Sequence, residues 1–190
     1  MHLFLAQGYG ATSIEGVARR AGISKRTFYH RFDDKPMLFG AVVHRIIDRL
    51  RPPANVPLLD GADLPEILQR LARIILRGAV SAPAIALHRL IVAESARFPE
   101  LASVATEQGP TREGIRLIAG VLDAEIRAGN LRLEDPAFAA ELFLHMVISL
   151  PQRRALGLGI AMTSDELDAW ACDVVNLFLN GCRGWARTPG

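Results

Sequence analysis

The chain has 190 residues, enough for one substantial domain or two small ones. Half of it is apolar and 22% charged, with 16 Gly and 11 Pro, which excludes a disordered, collagen-like or mucin-like chain. The net charge of +2 conceals an asymmetry: residues 1–50 carry 8 Lys or Arg against 4 Asp or Glu, and residues 51–190 carry 14 against 16. A small basic head joined to a larger, slightly acidic body points to a polyanion-binding module and a body with a different task.

Two cysteines, Cys172 and Cys182, are too few for a disulfide scaffold, and no CxxC suggests a metal. The longest stretch without Asp, Glu, Lys or Arg, Met1–Ile14, is too short and too polar for a membrane span. The start also lacks the basic run and apolar core of a secretion signal. These features predict a soluble, cytoplasmic protein without cofactor, metal or membrane partner.

Strand signals are weak, and apolar residues recur at helical spacing in almost every segment. Breakers at Gly8–Gly10, Gly22, Asp33–Pro36, Pro52–Gly61, Ala82–Pro83, Phe98–Pro99, Gly109–Pro110, Gly129–Asn130, Asp135–Pro136 and Gly157–Gly159 divide an all-α chain into about nine helices. The charge shift divides it into a head, residues 1–50, and a body, residues 51–190.

Within the head, Thr12-Ser13-Ile14-Glu15 has the spacing of a capping box, with a hydroxyl at the helix start and a carboxylate three residues on. Ile14, Val17, Ala18 and Ala21 share one side of the helix begun there, which is too short to be stable without a partner. Ala21-Gly22-Ile23 makes a tight turn, with Gly22 free to take positive φ, and Ser24 caps a second short helix. Helix, glycine turn, helix is the outline of a helix-turn-helix, whose second helix enters the DNA major groove.

At about 100° per residue, Phe28 and Phe32 form the inward face of that second helix, while Arg26, Thr27 and His30 project oppositely. Arg26 has the reach to pair with guanine O6 and N7, and Thr27 offers a hydroxyl or a methyl to a base edge. Lys25 and Tyr29 lie on the flank where phosphates pass, and Lys35 stands at the N-terminus of the next helix, where free N–H groups also favour an anion.

The run GYGATSIEGVARRAGISKRTFYHRFDDKPMLFGAVV, residues 8–43, resembles the DNA-binding segment of TetR-family transcriptional regulators. Thr12, Ala18, Ala21, Gly22, Ser24, Tyr29, Phe32, Lys35 and Leu38 all stand where the family pattern has them. The resemblance implies an all-α homodimer whose two helix-turn-helix heads bind a palindromic, double-stranded operator, as a repressor released by a small-molecule effector. It also implies DNA contacts from Thr12, Ser13, Lys25, Arg26, Thr27, Tyr29, His30 and Lys35. Family members have a longer first helix preceded by a basic arm. Here only two turns precede Gly8, so Leu3, Phe4 and Ala6 are left to cover the motif's core and a less stable head is expected.

In the body, LHRLIVAESARFPELA is similar to the C-terminal domain of the AefR-like subgroup. The helices expected near 136–156 and 164–183 are too apolar for a single inward stripe. Phe138, Leu142, Met146, Leu150, Trp170, Val174 and Phe178 are therefore candidates for a four-helix dimer seam, the alternative being burial within one chain. On a helix from Pro83 to Phe98, Leu87, Leu90, Ile91, Glu94 and Phe98 share a face. A carboxylate on that apolar stripe needs a partner: an ion pair with Arg89 or Arg97, or a ligand. His88 and His145 lie in apolar helices and are either satisfied core imidazoles or effector contacts, so the candidate effector set is His88, Glu94, Phe98 and His145.

No Gly-rich phosphate loop, GxSxG elbow, HExxH pair or Cys–His set of known spacing occurs, so catalysis is not expected. The competing reading is an all-α small-molecule-binding protein whose head no longer holds an operator.

Overall fold

A computed structural model describes residues 2–50 and 63–184. Ten helices lie among them: α1 (His2–Ala11), α2 (Ile14–Arg20), α3 (Lys25–Tyr29), α4 (Lys35–Leu50), α5 (Leu64–Ala79), α6 (Ala82–Glu94), α7 (Pro99–Gln108), α8 (Pro110–Arg127), α9 (Pro136–Ala155) and α10 (Ser164–Gly184). The expected break at Pro52–Gly61 falls outside the described residues. The break at Gly8–Gly10 bends α1 without ending it. The other breaks separate helices as their Gly and Pro residues predict, with one shift: α6 ends at Glu94, before Phe98, which takes the N-cap position of α7.

The helices form two compact units. Among the described residues, the first joins 2–50 to 82–112, and the second joins 63–81 to 113–184. The unit that holds the head thus takes in α6 and α7 from beyond residue 50.

In the first unit, α1 packs on α6, α4 on α7, and α2 on α3. Its core is aromatic: Phe4, Tyr9, Phe28 and Phe39 are each at most 2% exposed. Phe39 meets Phe4 and Tyr9 edge-on at 5.5 Å, the geometry that sets one ring's positive edge against another's negative face. Phe4 does the covering expected of the short first helix. Leu3 is half-buried and Ala6 points outward.

The second unit is built around α5, α9 and α10, with α8 contributing Ile118 and Leu122. Asp63 and Asp135 cap α5 and α9 by accepting from the Glu66 and Phe138 amides at 3.0 and 2.9 Å. Thr163 and Glu166 form a reciprocal capping box before α10: the Thr163 amide donates to Glu166 Oε2 at 2.7 Å and the Glu166 amide to Thr163 Oγ1 at 3.3 Å.

Pro151, buried within α9, has no N–H, so the Val147 carbonyl four residues earlier loses its helical donor. The indole N–H of Trp170 on α10 supplies one at 2.9 Å. Phe143 of α9 and Phe178 of α10 meet at 4.9 Å, and Phe143 has no exposed surface. Phe143→Ala should therefore cost about 3–5 kcal/mol in urea unfolding. A loss below about 1 kcal/mol would show that the α9–α10 seam does not hold this unit together.

Candidate nucleic-acid interface

The helix-turn-helix begins one residue later than its sequence suggests. Ser13, not Thr12, is the cap of α2, accepting from the Gly16 amide at 3.0 Å. Thr12 is 3% exposed, and its hydroxyl donates to the Gly8 carbonyl at 2.7 Å, so this expected DNA contact faces the interior. Nor does Glu15 reach back to close a box. It meets Lys25 Nζ at 3.0 Å, tying α2 to α3, and that hydrogen bond above all holds the Glu15 carboxyl below the usual range.

The turn ends α2 as a Schellman motif. The Ile23 amide donates to the Ala18 carbonyl and the Gly22 amide to the Arg19 carbonyl, at 3.1 and 3.2 Å, with Gly22 at φ 68°. Ser24 then caps α3 by accepting from the Thr27 amide at 3.1 Å, and its hydroxyl lies 2.8 Å from that of Thr27.

α3 has only five residues, shorter than the spacing of Phe28 and Phe32 implies, and His30 is its C-cap. Because His30 keeps helical dihedrals (φ −66°, ψ −19°), it projects as a sixth helical residue would. Phe28 is 2% exposed and packs on Phe32, itself half-buried, at 5.3 Å. Lys25, Arg26, Thr27, Tyr29 and His30 are all exposed. Anchoring rings and cationic face thus lie on opposite sides. Arg26 and His30 project into solvent away from the Phe28 ring, with Tyr29 and Lys25 beside them.

Lys35 has a different employment. Its Nζ donates to the Gly10 carbonyl at 3.2 Å and lies 4.4 Å from the centre of the Tyr9 ring, a cation–π contact. Burial lowers its pKa, opposed by the charges of Glu94 and Glu100. The Tyr9 hydroxyl is enclosed. Burial first, then Glu100 and Asp34, push its ionisation well above the ordinary range.

Arginines that the motif did not single out extend the cationic surface. An open groove of about 420 Å³ lies between α1 and α2, lined by Leu3, Gln7, Ser13, Gly16, Arg19 and Arg20 among others. Their signal was present in the sequence, since both arginines lie off the apolar side of α2.

The candidate effector residues are divided between the two units, His88, Glu94 and Phe98 in the first and His145 in the second. Glu94 accepts from the amides of Tyr9 and Gly10, each at 2.7 Å, in place of the arginine pairing expected from sequence. Phe98 packs edge-on against Tyr9 at 5.1 Å. His88 is half-buried on α6, and His145, on α9 in the other unit, is exposed.

Among the seam candidates, Val174 and Phe178 are 5% exposed within the core of their own chain, and Trp170 is half-buried and bonded to α9. Met146 and Leu150 are half-buried. Phe138 and Leu142 are 54% and 46% exposed, and Leu177, not selected from sequence, is 66% exposed.

Residues 66–181 match the family model for the C-terminal domain of AefR-like transcriptional repressors, and residues 1–42 that for bacterial regulatory proteins of the tetR family. The chain belongs to the TetR family. The flavonoid-responsive regulator FrrA is 34% identical with a TM-score of 0.79, covering 97% of this chain and 93% of its own. A protein described as a TetR-family transcriptional regulator from Mesorhizobium loti is 30% identical with a TM-score of 0.77, covering 94% and 90%. A TetR regulator from Agrobacterium tumefaciens is 26% identical with a TM-score of 0.75, covering 94% and 88%. The TetR chain is accordingly a DNA-binding transcriptional regulator and not an enzyme. No single helix among the described residues is long and apolar enough to cross a membrane.

The inward Lys35 of this TetR head yields a test. Lys35→Met should lower the urea stability of the head by about 1 kcal/mol, through loss of the ring contact and the Gly10 bond. The salt dependence of DNA binding should stay unchanged. A slope shallower by about one phosphate contact would return Lys35 to the DNA flank.

Proposed function

We propose that the protein is a cytoplasmic repressor that binds a palindromic operator as a homodimer and is released by a small-molecule effector. The observation that carries this is the two-sided α3: Phe28 is anchored in the aromatic core while Arg26, Thr27 and His30 stand in solvent. A helix in that attitude is ready to enter a major groove without rearrangement. The base-reading set is Arg26, Thr27 and His30. Ser13, Lys25 and Tyr29 serve the phosphates.

Two exposed apolar side chains on α9, Phe138 and Leu142, lie one helical turn apart, and Leu177 of α10 adds a third. Large apolar residues left in water on the two last helices support a seam with a second copy. Support for an effector comes from FrrA, a flavonoid-responsive regulator similar along nearly the whole chain. With Glu94 and Phe98 engaged by α1, His88 is the remaining candidate polar contact in the first unit, and His145 is the candidate in the second, taken by itself.

Two measurements test the reading. Fluorescence titration against DNA upstream of its own coding sequence, over a range of salt, should show tight binding with a steep salt slope. Arg26→Ala should cost about 1–3 kcal/mol on the preferred sequence and relax base preference there. Equal loss on every sequence would refute base reading by Arg26. In analytical ultracentrifugation, Phe138→Asp with Leu142→Asp should halve the sedimenting mass while far-ultraviolet circular dichroism stays helical. A variant that remains dimeric would place the seam elsewhere.

A further inference from the structure

Granting the operator binding proposed above, we infer that Glu94 is a positioning residue for base recognition: from α6 it fixes the point at which α1 ends and α2 begins. Gly8, with φ of 83° and ψ of 169°, breaks α1 internally. A helical turn that starts afresh has amides without acceptors in its own helix. Those of Tyr9 and Gly10 are answered by Glu94, one carboxylate oxygen to each, at 2.7 Å. The carboxylate acts as an N-cap supplied from another helix, with the full charge that makes such bonds strong.

The other end of the same turn is held by the opposite charge. Lys35 Nζ from α4 donates to the Gly10 carbonyl at 3.2 Å while resting over the Tyr9 ring. Anion at the amides and cation at the carbonyl both match the turn's dipole. Neither charge belongs to α1.

This grip fixes the entry into α2. The Thr12 amide donates to the Tyr9 carbonyl at 3.2 Å and its hydroxyl to the Gly8 carbonyl at 2.7 Å, so Thr12 is buried and the next residue, Ser13, becomes the cap of α2. α2 is joined to α3 by a short glycine turn and by Glu15–Lys25. The start of α2 therefore sets where Arg26 and His30 are presented. The approach is close enough to dictate residue type: a Cβ on Gly8 would collide with Glu94 Oε1, and one on Gly10 would lie 3.2 Å from the Phe98 ring. With both oxygens engaged, this carboxylate is a fastening and not an effector contact.

The test uses the full chain and two duplexes: one enriched by the wild-type protein from a random-sequence pool, and its scrambled counterpart. Glu94→Gln keeps the side chain's shape and one acceptor but turns an NH2 toward the second amide. It should weaken binding to the enriched duplex about tenfold. Binding to the scrambled duplex, which is governed by phosphate attraction, should stay within about twofold with the same salt slope. Hydrogen exchange should show lost protection at Tyr9 and Gly10 with Phe28 unaffected, and Gly8→Ala should reproduce the pattern.

Equal weakening on both duplexes, or protection lost throughout the head, would overturn the inference by showing that Glu94 only stabilises the fold. Unchanged binding to the enriched duplex would overturn it as well. Failure of the wild-type protein to enrich any sequence would remove operator binding itself, and the positioning role with it, so the two failures are distinguishable.

Discussion

A five-residue helix does not persist in water, because one or two hydrogen bonds cannot offset the ordering of its backbone. α3 exists because Phe28 is sunk into an aromatic core and Ser24 closes its first turn. Everything this head offers to a nucleic acid depends on that burial. Phe28 fixes the rotation of the helix about its axis, and the rotation decides which side chains meet solvent. Burying a phenyl ring contributes about 1.5–3 kcal/mol, comparable to the loss expected from one wrong base pair, so anchoring and reading are matched in scale.

Both lysines of the head make bonds within it, although the Lys25 side chain stays 63% exposed and keeps a face for phosphates. Lys25 is bonded to Glu15 and Lys35 to the Gly10 carbonyl, so each lysine joins two segments of the head to one another. Arg19, Arg20 and Arg26 stand exposed. Both placements suit the chemistry of the two side chains. An ammonium is a compact point charge that sits well over a ring or on one carbonyl, whereas a guanidinium presents a planar fork that matches a base edge or a phosphate.

Local signals were legible in the sequence and distant ones were not. The glycine turn, the Ser24 cap, the two faces of α3 and most helix limits arise from interactions a few residues apart, which leave a spacing behind. Thr12 and Ser13 are both good caps and adjacent. The choice between them is made by a carboxylate more than eighty residues away acting on backbone amides, and amides carry no residue signature. Glu94 was visible as a misfit on an apolar stripe, and its need for a partner was correct; the partner's identity was not readable. The bond of Lys35 to the Gly10 carbonyl is unreadable for the same reason. Pro151 announces an orphaned carbonyl in α9 by its ring alone, yet nothing in the string of letters points to Trp170 as the donor.

The contact between Gly8 and Glu94 carries a consequence for descent. The bare α-carbon at one position leaves room for the acid at the other, and the acid satisfies amides that only the bend in the chain exposes. Neither can drift by itself without cost. In lineages that share this arrangement the two should be inherited as a pair, and a protein that has lost one should have rebuilt its first helix without the bend.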